Sequence, residues 1–154
     1  MNKIVICNFV GVYKEALTRG KEYEVIEEDV EKEQIRIIGD NNRTRWYKKN
    51  LFVPYGCCVP VLVNWQFDDT IHDPSENSLQ HVEVTITLSN GQKRWGSICT
   101  KNGIFNYIER NMDASVLLLE NWIIVNNFSH EVVNEALYHL DQQNQLISST
   151  KLLS

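Results

Sequence analysis

The densest group of chemically capable side chains lies in DDTIHDPSE, residues 68–76, which holds Asp68, Asp69, His72, Asp73 and Glu76. Oxygen-rich loops can hold a divalent cation. An EF-hand would need acidic or amide ligands at alternating positions, a central glycine and a closing glutamate, and this spacing does not supply them. Dense runs of charge are ordinarily solvated, so the expectation is an exposed acidic loop with no metal and no cofactor. The cysteines are Cys7, Cys57, Cys58 and Cys99. Cys57 and Cys58 are adjacent, and no C-x-x-C pair occurs to build a tetrahedral zinc site. The chain shows no long apolar leader with a cleavage site, so reduced thiols in a cytoplasmic setting are expected. Nucleophilic catalysis needs a Ser or Cys beside a base. Cys99 with His81 or His130 is the one conceivable pairing, and nothing local brings them together. G-x-S-x-G, H-E-x-x-H, G-x-G-x-x-G and the P-loop pattern are all missing from the sequence, so no catalytic residue is expected and the chain reads as a non-enzyme.

A second stretch invites a binding role. Residues 43–52 read RTRWYKKNLF, four basic and three aromatic side chains in ten. In a strand, alternate residues face opposite ways, so Arg43, Arg45, Tyr47 and Lys49 share one face and Thr44, Trp46 and Lys48 the other. The expectation is that Trp46 enters a core while the arginines stay in water, paired across the sheet with glutamates at 22, 24, 27 and 28. The other use of the strip is to grip a partner. Trp95, next to Arg94 and Gly96, is a further contact candidate, since exposed tryptophans anchor interfaces; the alternative is core packing.

Charge narrows the partner. The chain has 154 residues and a formal net charge of −5. Residues 1–56 carry 10 Lys and Arg against 9 Asp and Glu, and residues 57–154 carry 5 against 11. An acidic protein is poorly suited to neutralising phosphates, so nucleic acid is disfavoured and another protein, basic in character, is the better match. No apolar run approaches the roughly 20 residues of a membrane helix.

The elements that must position these residues are legible in outline. Strands are expected at 4–9, 22–28, 34–38 and 43–49, with GDNN at 39–42 as a hairpin turn because its residues tolerate positive φ. PYGCCVP at 54–60 is a connector. Further strands are expected at 61–67, 82–88 and 93–100, the latter two joined by the turn SNGQ. A helix follows at 102–111, with Ile104, Phe105 and Ile108 as its apolar face, then a strand at 122–125. Ser129 is placed to cap a helix carrying Val132, Val133, Ala136, Leu137 and Leu140 at helical spacing.

The stretch LTRGKEYEVIEEDVEKEQIRIIGDNNRTRWYKKNLF resembles the small SH3-like barrels of bacterial and phage proteins. Shared features are the Gly-Lys-x-Tyr-Glu-Val strand, the Asp/Asn/Gly hairpin and the Trp-Tyr strand running into a short helical turn. Lys48 stands where that pattern often has proline, and the aromatic segment of peptide-binding SH3 domains is missing. Proline-rich ligands are therefore not implied. The run VEVTITLSNGQKRWGSICT, a helix, WIIV and then S-x-E-V-V-x-E-A-L-x-x-L from Ser129 resemble small bacterial immunity-type proteins of toxin–immunity loci. Together these resemblances imply an α+β chain: an SH3-like β-barrel at 1–55 packed on an α+β domain at 56–154 with an antiparallel sheet and two helices. The function they imply is protein binding that occludes a toxin; the residues themselves offer Asp68, Asp69, Asp73 and Trp95 as the contacts. The alternative is a nucleic-acid accessory module using the strip at Arg43, Arg45, Tyr47 and Lys49.

Overall fold

The computed structural model describes residues 2–74, 81–113 and 119–154. The fold class is α+β. The chain divides into two compact units, Met1–Val61 with Gln142–Asn144, and Leu62–Asp141 with Gln145–Ser154.

The first unit is built from short strands. β1 (Ile4–Cys7) lies between β2 (Glu22–Glu24) and β6 (Phe52–Pro54), and β4 (Gln34–Ile38) lies between β3 (Glu27–Asp29) and β5 (Thr44–Lys48). Every pairing is antiparallel. The expected single strand at 22–28 is broken after Glu24, where Ile26 interrupts the alternation; its N–H reaches the Arg36 carbonyl instead. A one-turn 3-10 helix, Lys49–Leu51, leads into β6. The pairing is thus two three-stranded sheets, and an SH3-like barrel is not confirmed by it. The GDNN hairpin forms as expected, with Asn42 at φ +58°. Gly39 is required there by space, since a Cβ on it would meet the Ala16 carbonyl oxygen at 2.7 Å.

The core of this unit corrects one expectation. Tyr47 is buried, 1% exposed, and Trp46 is 39% exposed. The strand alternates as expected, with the opposite phase. QIRII turns Ile35 and Ile37 inward, and the register sets Ile35 opposite Tyr47 and Ile37 opposite Arg45. Tyr47 therefore fills the core, edge-on to Tyr13 with ring centroids 4.9 Å apart. Trp46 is left on the outer side, opposite Arg36.

The second unit is a mixed sheet with two helices. β7 (Leu62–Phe67), β8 (Val82–Leu88) and β9 (Lys93–Thr100) run antiparallel as successive neighbours. α1 (Lys101–Arg110) then carries the chain across to β10 (Trp122–Val125), which pairs parallel with β9. α2 (His130–Gln142) follows, and β11 (Lys151–Leu152) returns antiparallel to the start of β9. On β8, Val82, Val84, Ile86 and Leu88 are buried, as the period-2 pattern requires. Ile98, Ile123, Val125, Phe128, Val133, Leu137 and Leu146 complete that core. Ser129 caps α2, its hydroxyl accepting from the Val132 N–H at 3.3 Å. No helix among the described residues is long and apolar enough to cross a membrane.

Candidate functional site

The basic strip is only half available. Lys49 is held by Glu28, which also takes Lys3 at 2.6 Å. These two lysines keep the Glu28 carboxyl below its ordinary range. Tyr47 is core, and its hydroxyl is pushed up by burial. Cross-strand pairing with the glutamates is real, but it engages Arg36, bonded to Glu27 at 2.7 Å, and Lys49. Arg43 and Arg45 are exposed and take no ion pair among the described residues. With Lys14 they line a concavity of about 410 Å³ bounded also by Val12, Tyr13, Glu15 and Asn41.

The acidic loop is exposed at Asp68, Asp69 and Asp73. Asp68 accepts from the Thr85 hydroxyl at 2.7 Å. Ile71 is half-buried and packs on the core of the second unit, so the loop is tethered through an apolar residue between its acids. Glu76 lies outside the described residues. Among the described residues no three His, Cys, Asp or Glu side chains gather into a metal-binding group.

Trp95 is half-buried, opposite Lys151 in the register, and the Lys151 ammonium sits 5.6 Å from its ring centroid. It lies opposite Thr85 of β8, so it is on the face away from Val84 and Ile86. Its neighbour Arg94 was not anticipated. Arg94 is 8% exposed. It donates to the Thr150 hydroxyl (2.8 Å), the Thr150 carbonyl (2.7 Å), the Ile147 carbonyl (2.9 Å) and Gln92 (3.2 Å).

The residues considered for nucleophilic chemistry are occupied otherwise. Cys99 is fully buried, its thiol pushed up to about 11 by that burial, and donates to the Ile123 carbonyl at 3.7 Å. His130 stacks on Trp65 with centroids 4.5 Å apart, and His81 lies 5.3 Å from the Trp122 ring. Each imidazole is packed against a tryptophan.

The surface that sequence reasoning misjudged is α1. Its start is fixed by Thr100, whose hydroxyl accepts from the Gly103 N–H at 3.1 Å. Its end is closed by Asn111, whose side-chain amide donates to the Tyr107 carbonyl at 2.8 Å. Gly103 is the buried residue of this helix, and the Tyr107 ring meets Trp122 edge-on at 4.9 Å. At about 100° per residue, Phe105 and Ile108 lie on the side opposite Gly103 and Tyr107. They are 58% and 39% exposed, and Met112 just beyond the helix is exposed as well. The helix is amphipathic; of its expected apolar face Ile104 is half-buried, while Phe105 and Ile108 face outward.

These features define an α+β protein with an outward-facing apolar helix and exposed acidic and basic groups. No protein-family model matches the chain, and neither a curated protein nor a solved structure matches it significantly.

Proposed function

We propose that the chain is a non-enzymatic protein-binding module of the immunity type, whose second unit covers the active surface of a basic partner. The observation that carries this reading is the exposed pair Phe105 and Ile108 on α1. Exposed apolar side chains grouped on one element mark association surfaces, and an interface takes most of its energy from a few buried anchors. The acidity supplies the second ingredient. Residues 57–154 carry 11 acidic against 5 basic side chains, and Asp68, Asp69 and Asp73 are exposed. Such charge speeds encounter with a basic partner and sets specificity. The chain works in a reducing cytoplasm, a setting that suits four free cysteines.

A second reading keeps one specific observation. Arg43, Arg45 and Lys14 converge on a single concavity, which suits an acidic ligand such as nucleic acid. It is weaker than the sequence implied, because Tyr47 and Lys49 are engaged elsewhere.

Affinity capture from lysate of the source cell at low and moderate salt separates the two. The first reading expects one stoichiometric protein, retained at moderate salt by the wild type and lost by Phe105→Glu with Ile108→Glu. Nucleic acid that washes off as salt rises, and is lost with Arg43→Glu and Arg45→Glu, would replace it with the second.

A further inference from the structure

The four cysteines separate into two kinds. Cys7 and Cys99 are buried, and Cys57 and Cys58 are exposed. Burial pushes the Cys7 thiol up to about 12, with Arg19 acting in the opposite direction, and the Cys99 thiol up to about 11. A buried thiol held that high is inert, because the thiolate is the nucleophile and the metal ligand. Cys57 and Cys58 are instead open to solvent.

The pair is also held in place. β6 ends at Pro54, which is paired with Val5 of β1, and the Cys57 N–H donates to the Pro54 carbonyl at 3.2 Å to close a turn. Gly56 makes that turn possible at φ +91°, and the space beside it is open. Downstream, the buried Arg19 donates to the Pro60 carbonyl at 2.6 Å. Both ends of the short segment carrying the two thiols are therefore anchored within the first unit, while the thiols themselves face solvent. Ligands presented on a fixed support bind more tightly than mobile ones, because less freedom is lost.

Two fates compete for adjacent thiols. Neighbouring Cα atoms across a trans peptide are about 3.8 Å apart, and the described residues contain no cis peptide. That separation is below the usual disulfide range of about 4.4–6.8 Å, so an internal disulfide is strained and the pair favours remaining as thiols. An atom inserted between the two sulfurs enlarges the ring that the pair closes, and so relieves the strain that the trans peptide imposes on a direct sulfur–sulfur bond. We propose that Cys57 and Cys58 form a vicinal dithiol site that chelates a thiophilic trivalent metalloid of the arsenite class. With an arsenoxide the step is an exchange. Two arsenic–sulfur bonds form, the arsenic–oxygen bond breaks, and both thiol protons leave with the oxygen as water. Arsenic stays trivalent, and no oxidant or reductant takes part.

The test uses phenylarsine oxide on the full chain, read by intact mass in the presence of excess monothiol. The wild type retains one arsenical per chain and releases it to a small dithiol. Cys57→Ser and Cys58→Ser each weaken retention by at least about 100-fold, the scale on which a second linked contact acts. The double variant stays folded by circular dichroism and retains none. Equal retention by wild type and single variants, retention by the double variant, or no adduct surviving monothiol with the wild type would each overturn the assignment.

Discussion

Replacing Arg94 by alanine should detach the C-terminal segment of the second unit. The guanidinium makes three of its four hydrogen bonds to residues 147–150, at 2.7 to 2.9 Å. Thr150 is itself buried, and its hydroxyl both accepts from Arg94 and donates to the Leu146 carbonyl at 2.7 Å. Alanine leaves the Ile147 and Thr150 carbonyls without this donor. A buried polar group deprived of its partner costs about 1–3 kcal/mol. Water entering the vacated space recovers part of that, so the expected loss for the variant is about 3 kcal/mol in total. Lysine offers a single ammonium in place of a planar fork and should recover less than half. The loss should appear in urea unfolding and, more locally, as faster amide exchange at Leu153, whose N–H donates to the Lys93 carbonyl beside β11. An Arg94→Ala chain within about 0.5 kcal/mol of wild type, the range of an ordinary surface change, with unchanged protection at Leu153, would refute the staple.

Three further outcomes follow from the same geometry. Burial raises the cost of charging Asp40, but hydrogen bonds from Lys21, Thr18 and Tyr23 outweigh it and hold the carboxyl below its ordinary 3.8. A depressed folded value stabilises above the unfolded pKa and is lost as pH falls through the folded one. Acid titration of stability should therefore be steeper for wild type than for Asp40→Asn below about pH 4, read by fluorescence at fixed urea. Gly39→Ala should cost about 1–3 kcal/mol in urea unfolding, because the new methyl meets backbone that cannot move aside. Phe105→Glu and Ile108→Glu should leave the melting temperature within a few degrees of wild type, since surface changes cost about 0.5 kcal/mol or less; a large drop would show that α1 is packed rather than presented.

Local chemistry was legible where it acts locally. The period-2 run of β8, the turns before β5 and β9, and the Ser129 cap are each set by a few neighbouring residues, and all stand as read. The misreadings needed partners distant in sequence. Nothing inside 43–49 says which of two alternating sets faces inward; β4 decides it, through Ile35 and Ile37. Arg94 reads as a solvated strand charge until the chain returns more than fifty residues later to surround it. Phe105 and Ile108 sit at core-like spacing, but the parts of α1 held down are Gly103 and Tyr107. A small residue at the anchored position was the available signal, since it lets a helix approach its support on that side. The adjacent cysteines were visible from the start, but their exposure depended on how the 54–60 connector was anchored.

The most direct test of the binding account is a calorimetric titration of the captured partner protein into the full chain and into Phe105→Glu with Ile108→Glu. The account predicts one-to-one binding by wild type and a loss of at least about 2 kcal/mol, roughly 30-fold, in the variant, the scale of an anchor residue. Equal affinities for the two chains would contradict it and remove α1 from the interface.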